Sequence, residues 1–197
     1  MQTTLIAPRH ADPKPRRWTK AEYYRMAELG WFRGERVELI DGEIVALGPQ
    51  KFEHGQVADR IAELLRAAFG GAFWVRMQLP LDLDSLSEPE PDVSVVQGHR
   101  EDYHEHPKNA VLVVEVSDTA LLYDRGDKAS LYACAGIADY WVVDLSHREL
   151  HVYRDPVPDP GQRHGFRYRS VATLRPGDAV APLGAPSGHL TIVDLLR

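Results

Sequence analysis

Four charged residues in this 197-residue chain stand in or beside runs that are otherwise apolar. Glu38 lies between Val37 and Leu39, Asp92 follows Pro91 and precedes Val93, Glu115 interrupts the run from Ala110 to Val116, and Lys128 lies on the stretch that follows. A lone charge is costly to bury, so each needs a partner or a metal ion. Asp92 opens one apolar run and Glu115 comes late in the next, so pairing the two as neighbouring strands would bring both carboxylates to one end of a sheet. Two hard oxygen donors there suit Mg²⁺ or Mn²⁺. Lys128 is four residues after Asp124 and four before Tyr132, so the three share a helix face. If that face returns to the strand ends, the ammonium can orient an attacking water or offset charge developing on a phosphate. Phosphodiester hydrolysis requires this combination.

Each residue also has a plainer reading. Asp92 alone is a strand-entry aspartate after proline, Glu115 a strand-end residue reaching water, and Lys128 a solvated helix residue paired with Asp124. Alternation puts Glu38 on the polar, solvent-facing side of its strand. His54, after Glu53, either simply opens a helix or faces the site and contacts phosphate. Gln78, on the strand before Asp92, is a site-lining residue or an edge polar group. His99, His104 and His106 cluster with Glu101, Asp102 and Glu105, but in a loop-like segment without zinc-ligand spacing, which argues against a zinc site. Cys134, near Leu131 and Ala135, reads as a small core residue. Tyr140 and Trp141 read as core rather than as a base-stacking platform.

The elements that must position these residues follow from local pattern. Residues 1–17 hold three prolines and no hydrophobic period, and read as a flexible arm. Thr19 and Glu22 have the spacing of a capping box ahead of a short helix that stops near Gly30. Two apolar-rich runs, 37–40 and 43–47, flank Asp41-Gly42, a strong hairpin signal. Val57, Ile61, Leu64, Leu65 and Ala68 make a helical stripe between His54 and Phe69, closed by Gly70-Gly71. Strand-like runs follow at Phe73 to Leu83, Val93 to Val96 and Ala110 to Val116, then a helix from about Thr119 to Ala135. Further strands are expected at 140–143 and 150–153. The order αββαβββαββ predicts a mixed α/β (α+β) layer. Pro156, Pro158, Pro160 and Gly161 signal a loop, a weak strand pattern follows at 166–171, and the remainder reads as a strap. One domain is expected over 18–197, with its core at about 18–154 and the strap at 155–197.

Taken together, Arg36-Val-Glu-Leu-Ile-Asp-Gly-Glu43, the helix opened by His54, Glu90-Pro-Asp92, Val113-Val-Glu-Val116 and Asp124-Arg-Gly-Asp-Lys128-Ala-Ser-Leu-Tyr132, leading into Tyr140-Trp-Val-Val-Asp144, resemble the Uma-type family of restriction endonucleases. That family lies within the PD-(D/E)XK restriction-endonuclease-like superfamily. The resemblance runs from about Trp18 to Tyr153, returns weakly in the tail, and implies a restriction-endonuclease-like fold, a central mixed sheet flanked by helices. It also implies a metal-dependent endonuclease with Asp92 and Glu115 as metal ligands, the Val116 carbonyl as a further ligand and Glu38 as a third acidic group. The superfamily's usual lysine would fall at Ser117. The Uma-type pattern resembles the variant in which that lysine has moved to the next helix, which assigns the role to Lys128. A nuclease-fold module that binds nucleic acid or protein without catalysis is the alternative reading, and a hydrolase of small phosphoesters is a third.

The formal charge is -6, with 23 basic against 29 acidic residues. This excludes a protein that coats nucleic acid by bulk attraction. The charge is uneven, however: residues 1–36 sum to +4 and the rest to -10, with five carboxylates between Asp82 and Asp92 alone. A divalent cation near Asp92 would offset part of that acid. A single Cys134 excludes an intramolecular disulfide and fits a reducing, cytoplasmic setting, and no run is long and apolar enough for a membrane span. The expected partner is nucleic acid, DNA in the first instance, and a homodimer would let paired sites cut both strands.

Overall fold

The computed structural model describes residues 14–197, so the expected N-terminal arm lies, up to residue 13, outside the described residues. Thr19 caps α1 (Lys20–Glu28): its hydroxyl accepts from the Glu22 amide at 3.3 Å, and the Glu22 carboxylate accepts from the Thr19 amide at 3.0 Å. This is the reciprocal pair of a capping box. The strands β1 (Arg36–Ile40) and β2 (Glu43–Leu47) pair antiparallel, with Glu38 opposite Val45. Asp41 and Gly42 turn the hairpin at φ of 51° and 75°, the left-handed backbone that a two-residue loop of this hand demands. The Glu88 amide donates to the Leu39 carbonyl at 2.7 Å and the Gly42 amide to the Leu86 carbonyl at 2.7 Å, tying the hairpin to the segment before Asp92. The long helix α2 (Phe52–Phe69) buries Val57, Ala58, Ile61, Ala62 and Leu65.

A six-stranded sheet lies against that helix. Its strands β3 (Phe73–Met77), β4 (Val93–Gln97), β5 (Leu112–Ser117), β6 (Asp139–Asp144), β7 (Glu149–Pro158) and β8 (Phe166–Leu174) are neighbours in chain order. All adjacent pairs are antiparallel except β5 and β6. A parallel pair needs a crossover, here α3 (Leu121–Tyr123), a π-helical turn over Asp124–Lys128 and α4 (Ala129–Cys134). One apolar layer joins α2 to Val93, Val95, Val114, Val116 and Trp141. The other joins α4 to Val96, Val113, Tyr140, Tyr153 and Tyr168. Tyr140 and Trp141 are both fully buried, as core residues. After β8 the chain forms a short pair, β9 (Ala179–Val180) and β10 (Leu190–Thr191), then α5 (Ile192–Leu195). Leu190, Ile192 and Leu195 close over the α2 layer.

The element order through β7 agrees with the sequence pattern, and four local differences have physical causes. The strand expected over 73–83 ends at Met77, because Gln78 takes a φ of 47° and Leu79-Pro80 follows. The helix expected over 119–135 is broken by the π turn. The proline-rich segment read as a loop is strand as far as Pro158. Pairing of β7 with β6 ends at Arg154, so Pro156 and Pro158 face a partner only on the β8 side, where a missing amide is tolerated. The sheet therefore continues to Leu174, past the boundary at 154. Cys134 is exposed rather than core, because α4 ends on it after burying Ala129 to Ala133. Among the described residues, no helix is long and apolar enough to cross a membrane.

Candidate active site

Strand register brings two of the acids together. Val93 opposes Val114, so one residue further along, Asp92 stands beside Glu115 and Val116. The Asp92 amide donates to Glu115 Oε2 at 3.3 Å, and the Val116 amide donates to Asp92 Oδ2 at 2.8 Å. Because Val114 and Val116 face α2, alternation turns Glu115 to the opposite layer, beneath the crossover helix. There the Lys128 ammonium donates to Glu115 Oε1 at 3.0 Å, and the Tyr132 hydroxyl donates to the same oxygen at 2.8 Å. Lys128 is only 5 % exposed and Glu115 4 %, which overturns the solvated readings of both.

Glu38 is the clearest correction. Alternation pointed it at water, yet it is 0 % exposed, because the segment before Asp92 and the Lys128 side chain close over that face of β1. Its Oε2 accepts from the Glu90 amide at 3.1 Å. Its Oε1 lies 3.3 Å from Lys128 Nζ, but at an angle that leaves this oxygen without a hydrogen bond. Glu38 therefore stands behind the lysine.

In front of Lys128 opens a cleft of about 360 Å³, lined by His54, Asp92, Glu115, Val116, Asp124 and Lys128. His54, in the first turn of α2, places Nε2 2.9 Å from Asp92 Oδ1. Gln50 donates to the same oxygen at 3.3 Å, and Gln78 donates to Gln50 Oε1 at 2.8 Å. Gln78 thus reaches the site through Gln50 and does not line the cleft. Arg36 and Lys51 contribute positive charge to the walls, and Lys51 pairs with Asp118 at 2.5 Å. Gln50 carries no sequence signal, since it follows Gly48-Pro49 in a segment without period. Asp124 and Tyr132 were visible through their spacing from Lys128.

The charges are coupled through burial. Burial drives Glu115 up to about 8 despite the lysine beside it, and the nearby Asp92, Asp124 and Glu38 push in the same direction. Burial likewise raises Asp124, to about 6. Burial also works against the charge on Lys128, but Glu115, Glu38 and Asp124 outweigh it and hold the ammonium well above its ordinary value. Three carboxyl groups thus surround one cation, and Asp92 stands beside them. The Asp92, Glu115 and Asp124 carboxylates that line the cleft have the chemistry of a divalent-cation site, hard oxygens and surplus acid. Among the described residues, no three His, Cys, Asp or Glu side chains already stand as a closed set of metal ligands. The carboxylates instead hold Lys128, Tyr132, His54 and backbone amides, and a bound cation would compete with those contacts.

Residues 21–192 match the model of the Uma2 family, described as "Putative restriction endonuclease". The chain belongs to the Uma2 family. Its Uma2 match extends beyond Tyr153, through β8 and into the tail. The fold is similar to that of "a putative nuclease belonging to DUF820" from Anabaena variabilis ATCC 29413. The TM-score is 0.62 at 16% identity, covering 81% of this chain and 89% of that one. No protein of curated function matches the chain. The Uma2 chain thus has an α+β, restriction-endonuclease-like fold, with a mixed six-stranded sheet between helical layers.

Proposed function

We propose that this Uma2 protein is a metal-dependent endonuclease that hydrolyses phosphodiester bonds of DNA, with Asp92, Glu115 and Lys128 as catalytic residues. The observation that carries the reading is a buried ammonium held 3.0 Å from Glu115, a carboxylate that lines an open cleft together with Asp92. The family description and the nuclease named for the structural neighbour support the same chemistry.

Asp92 and Glu115, with the Val116 carbonyl, would hold Mg²⁺ or Mn²⁺, which when bound supplies Lewis acidity toward the phosphate and the attacking water. Lys128, kept protonated by the acids around it, donates to the attacking water or to a phosphate oxygen. Water adds to phosphorus while one P–O ester bond opens, and the proton that the water loses ends, by way of solvent, on the departing oxygen, which leaves as an alcohol. Tyr132 fixes Glu115 Oε1. Glu38 completes the acidic shell from behind, where it positions Lys128. His54 orients Asp92 and faces the substrate, and Gln78 steadies Gln50 at the same wall. One such site cuts one strand, so a homodimer would supply the second cut.

The test is incubation of the purified chain with supercoiled plasmid and with single-stranded DNA in Mg²⁺, Mn²⁺ or EDTA. Cleavage should need the metal and fall by orders of magnitude in Glu115→Gln and Lys128→Ala. Cleavage equal to wild type in both variants would overturn the assignment. Calorimetric titration with Mn²⁺ distinguishes the alternatives. A folded protein that binds no metal and cuts nothing is a binding module for nucleic acid or protein. Turnover confined to nucleotide-sized esters marks a small-phosphoester hydrolase.

A further inference from the structure

A second hollow, of about 590 Å³, lies between α1, β3 and residues 103–106 and shares no lining residue with the catalytic cleft. β3 is an edge strand of the sheet. Its Val75 packs into the α2 layer, so Trp74 and Arg76 project from the opposite face. Arg76 lines this hollow and is 2 % exposed. Its Nη2 donates to the Pro80 carbonyl at 2.9 Å, whereas Nε and Nη1 have no partner. Directly opposite on β4 is Ser94, 1 % exposed, whose hydroxyl is also unpartnered. Burial lowers Arg76 to about 10, still charged at neutral pH.

Folded proteins leave few buried polar groups unpaired, and an unpaired buried cation is among the costliest. The two free guanidinium donors of Arg76, beside the unpartnered Ser94 hydroxyl, therefore mark a missing acceptor. Of the carboxylates that line the hollow, Asp82 pairs with Lys20, which stands 3.9 Å from Glu88, and Glu88 also accepts from the Tyr24 hydroxyl, whereas Glu105 is exposed at the rim. A guanidinium fork matches the oxygens of a phosphate. The Trp74 ring lies 5.0 Å from that guanidinium and 5.7 Å from the Tyr103 ring, an aromatic wall suited to a planar base. The hollow is much larger than an inorganic anion needs.

We propose that this hollow binds a phosphate ester of nucleotide size, with the phosphate at Arg76 and the base against Trp74 and Tyr103. A free nucleotide and the 5′-phosphate end of a nucleic-acid strand present the same group. The site does not depend on hydrolysis in the catalytic cleft.

The test is titration of the full chain, in EDTA so that no cleavage occurs, read by calorimetry and tryptophan fluorescence. The probes are inorganic phosphate, the four nucleoside 5′-monophosphates, and one tetranucleotide with and without a 5′-phosphate. At least one monophosphate or the phosphorylated tetranucleotide should bind saturably, about tenfold more tightly than inorganic phosphate, and about tenfold more weakly in Arg76→Met. A monophosphate that equals the phosphorylated tetranucleotide identifies a free nucleotide as the source. A tetranucleotide that binds more tightly, and only with its 5′-phosphate, identifies the strand end. Arg76→Met also removes an unpaired buried charge, so without ligand it should melt about 2–4 °C above wild type. Should this variant fail to fold, Trp74→Leu takes its place with the same expected loss of binding. Absence of saturable binding by wild type at about 10 mM of every probe, or binding unchanged by the substitution, would overturn the proposal and leave the nuclease reading untouched.

Discussion

Replacing Lys128 by methionine keeps the length of the side chain and removes its charge, which isolates what the ammonium does for the fold. In the wild type it is 5 % exposed, 3.0 Å from Glu115 and 3.3 Å from Glu38, and both carboxylates are themselves buried. Removing one side of a buried ion pair leaves the opposing charge uncompensated, at a cost of about 3–5 kcal/mol. In a domain of this size about 1 kcal/mol moves the melting temperature by about 2–4 °C, so Lys128→Met should melt roughly 10 °C lower at about pH 9.5, above the Glu115 value of the wild type. The deficit should depend on pH. Glu115 is already raised by burial to about 8 with the lysine present, and loss of the lysine raises it further. A carboxyl whose folded pKa exceeds its unfolded value binds extra protons in the folded state, so its contribution to stability is complete at low pH and is lost as pH rises. The gap between variant and wild type should therefore be small and flat up to pH 7, where Glu115 is protonated in both proteins, and wide at about pH 9.5, where only the wild type's Glu115 has ionised. Circular-dichroism melts of both proteins at the two pH values, in EDTA, measure it. Equal melting temperatures at about pH 9.5, or a gap that does not widen above pH 8, would refute the claim that Lys128 neutralises these acids.

Three further outcomes follow from the same site and its hairpin. Because burial holds Glu115 up at about 8, a divalent cation must displace a proton at lower pH. Mn²⁺ affinity should rise steeply from pH 6 to pH 8, with proton release visible as heats that vary with the ionisation enthalpy of the buffer; a pH-independent affinity would contradict this. His54→Ala removes the group 2.9 Å from Asp92 Oδ1 and should lower metal affinity or cleavage about 10–100-fold, with little change in melting temperature, as measured by Mn²⁺ titration and plasmid nicking. Gly42→Ala puts a Cβ at φ 75°, 2.5 Å from Arg17 Cβ and 3.0 Å from its Cα. It should cost about 1–2 kcal/mol in urea unfolding, and no cost would mean that the hairpin turns differently.

The parts of the fold legible in the sequence are those with local causes. Thr19 and Glu22 announce a helix start because capping needs only four residues, and Asp41-Gly42 announces a hairpin because the left-handed turn is satisfied within the pair. Asp92 and Glu115 could be placed at one sheet end because consecutive strand-like runs pair as neighbours more often than not. Glu38 was misread because alternation locates the solvent side only when one face of a strand is open. Both faces are closed here, one of them by residues 52 positions away, such as Glu90. Gln50 was missed for a similar reason, since it enters the site only where α2 begins beside Asp92, a tertiary arrangement without local trace. Pro156 and Pro158 read as loop because nothing local reveals that β6 stops short and leaves one edge of β7 unpaired.

The lysine shows how topology can stand in for sequence offset. The superfamily's usual position, two residues after the glutamate, is Ser117, and on a strand such a residue shares the face of Glu115. A lysine there would approach the carboxylate from along the same strand. In this chain β5 and β6 are parallel, so the link between them must cross over one face of the sheet. Tyr132, on that crossover, donates to Glu115, which shows that it covers the face carrying the acid. Any inward residue one turn before Tyr132 then meets the carboxylate from above. Lys128 occupies that place, at the end of the π turn that widens the helix there, a distortion that in other helices tends to accompany functional residues. The proposed mechanism places an ammonium at Glu115 Oε1, and a fold of this kind can deliver it from the strand or from the crossover. Ser117, small and 1 % exposed, is packed within the protein at the position the strand route would use.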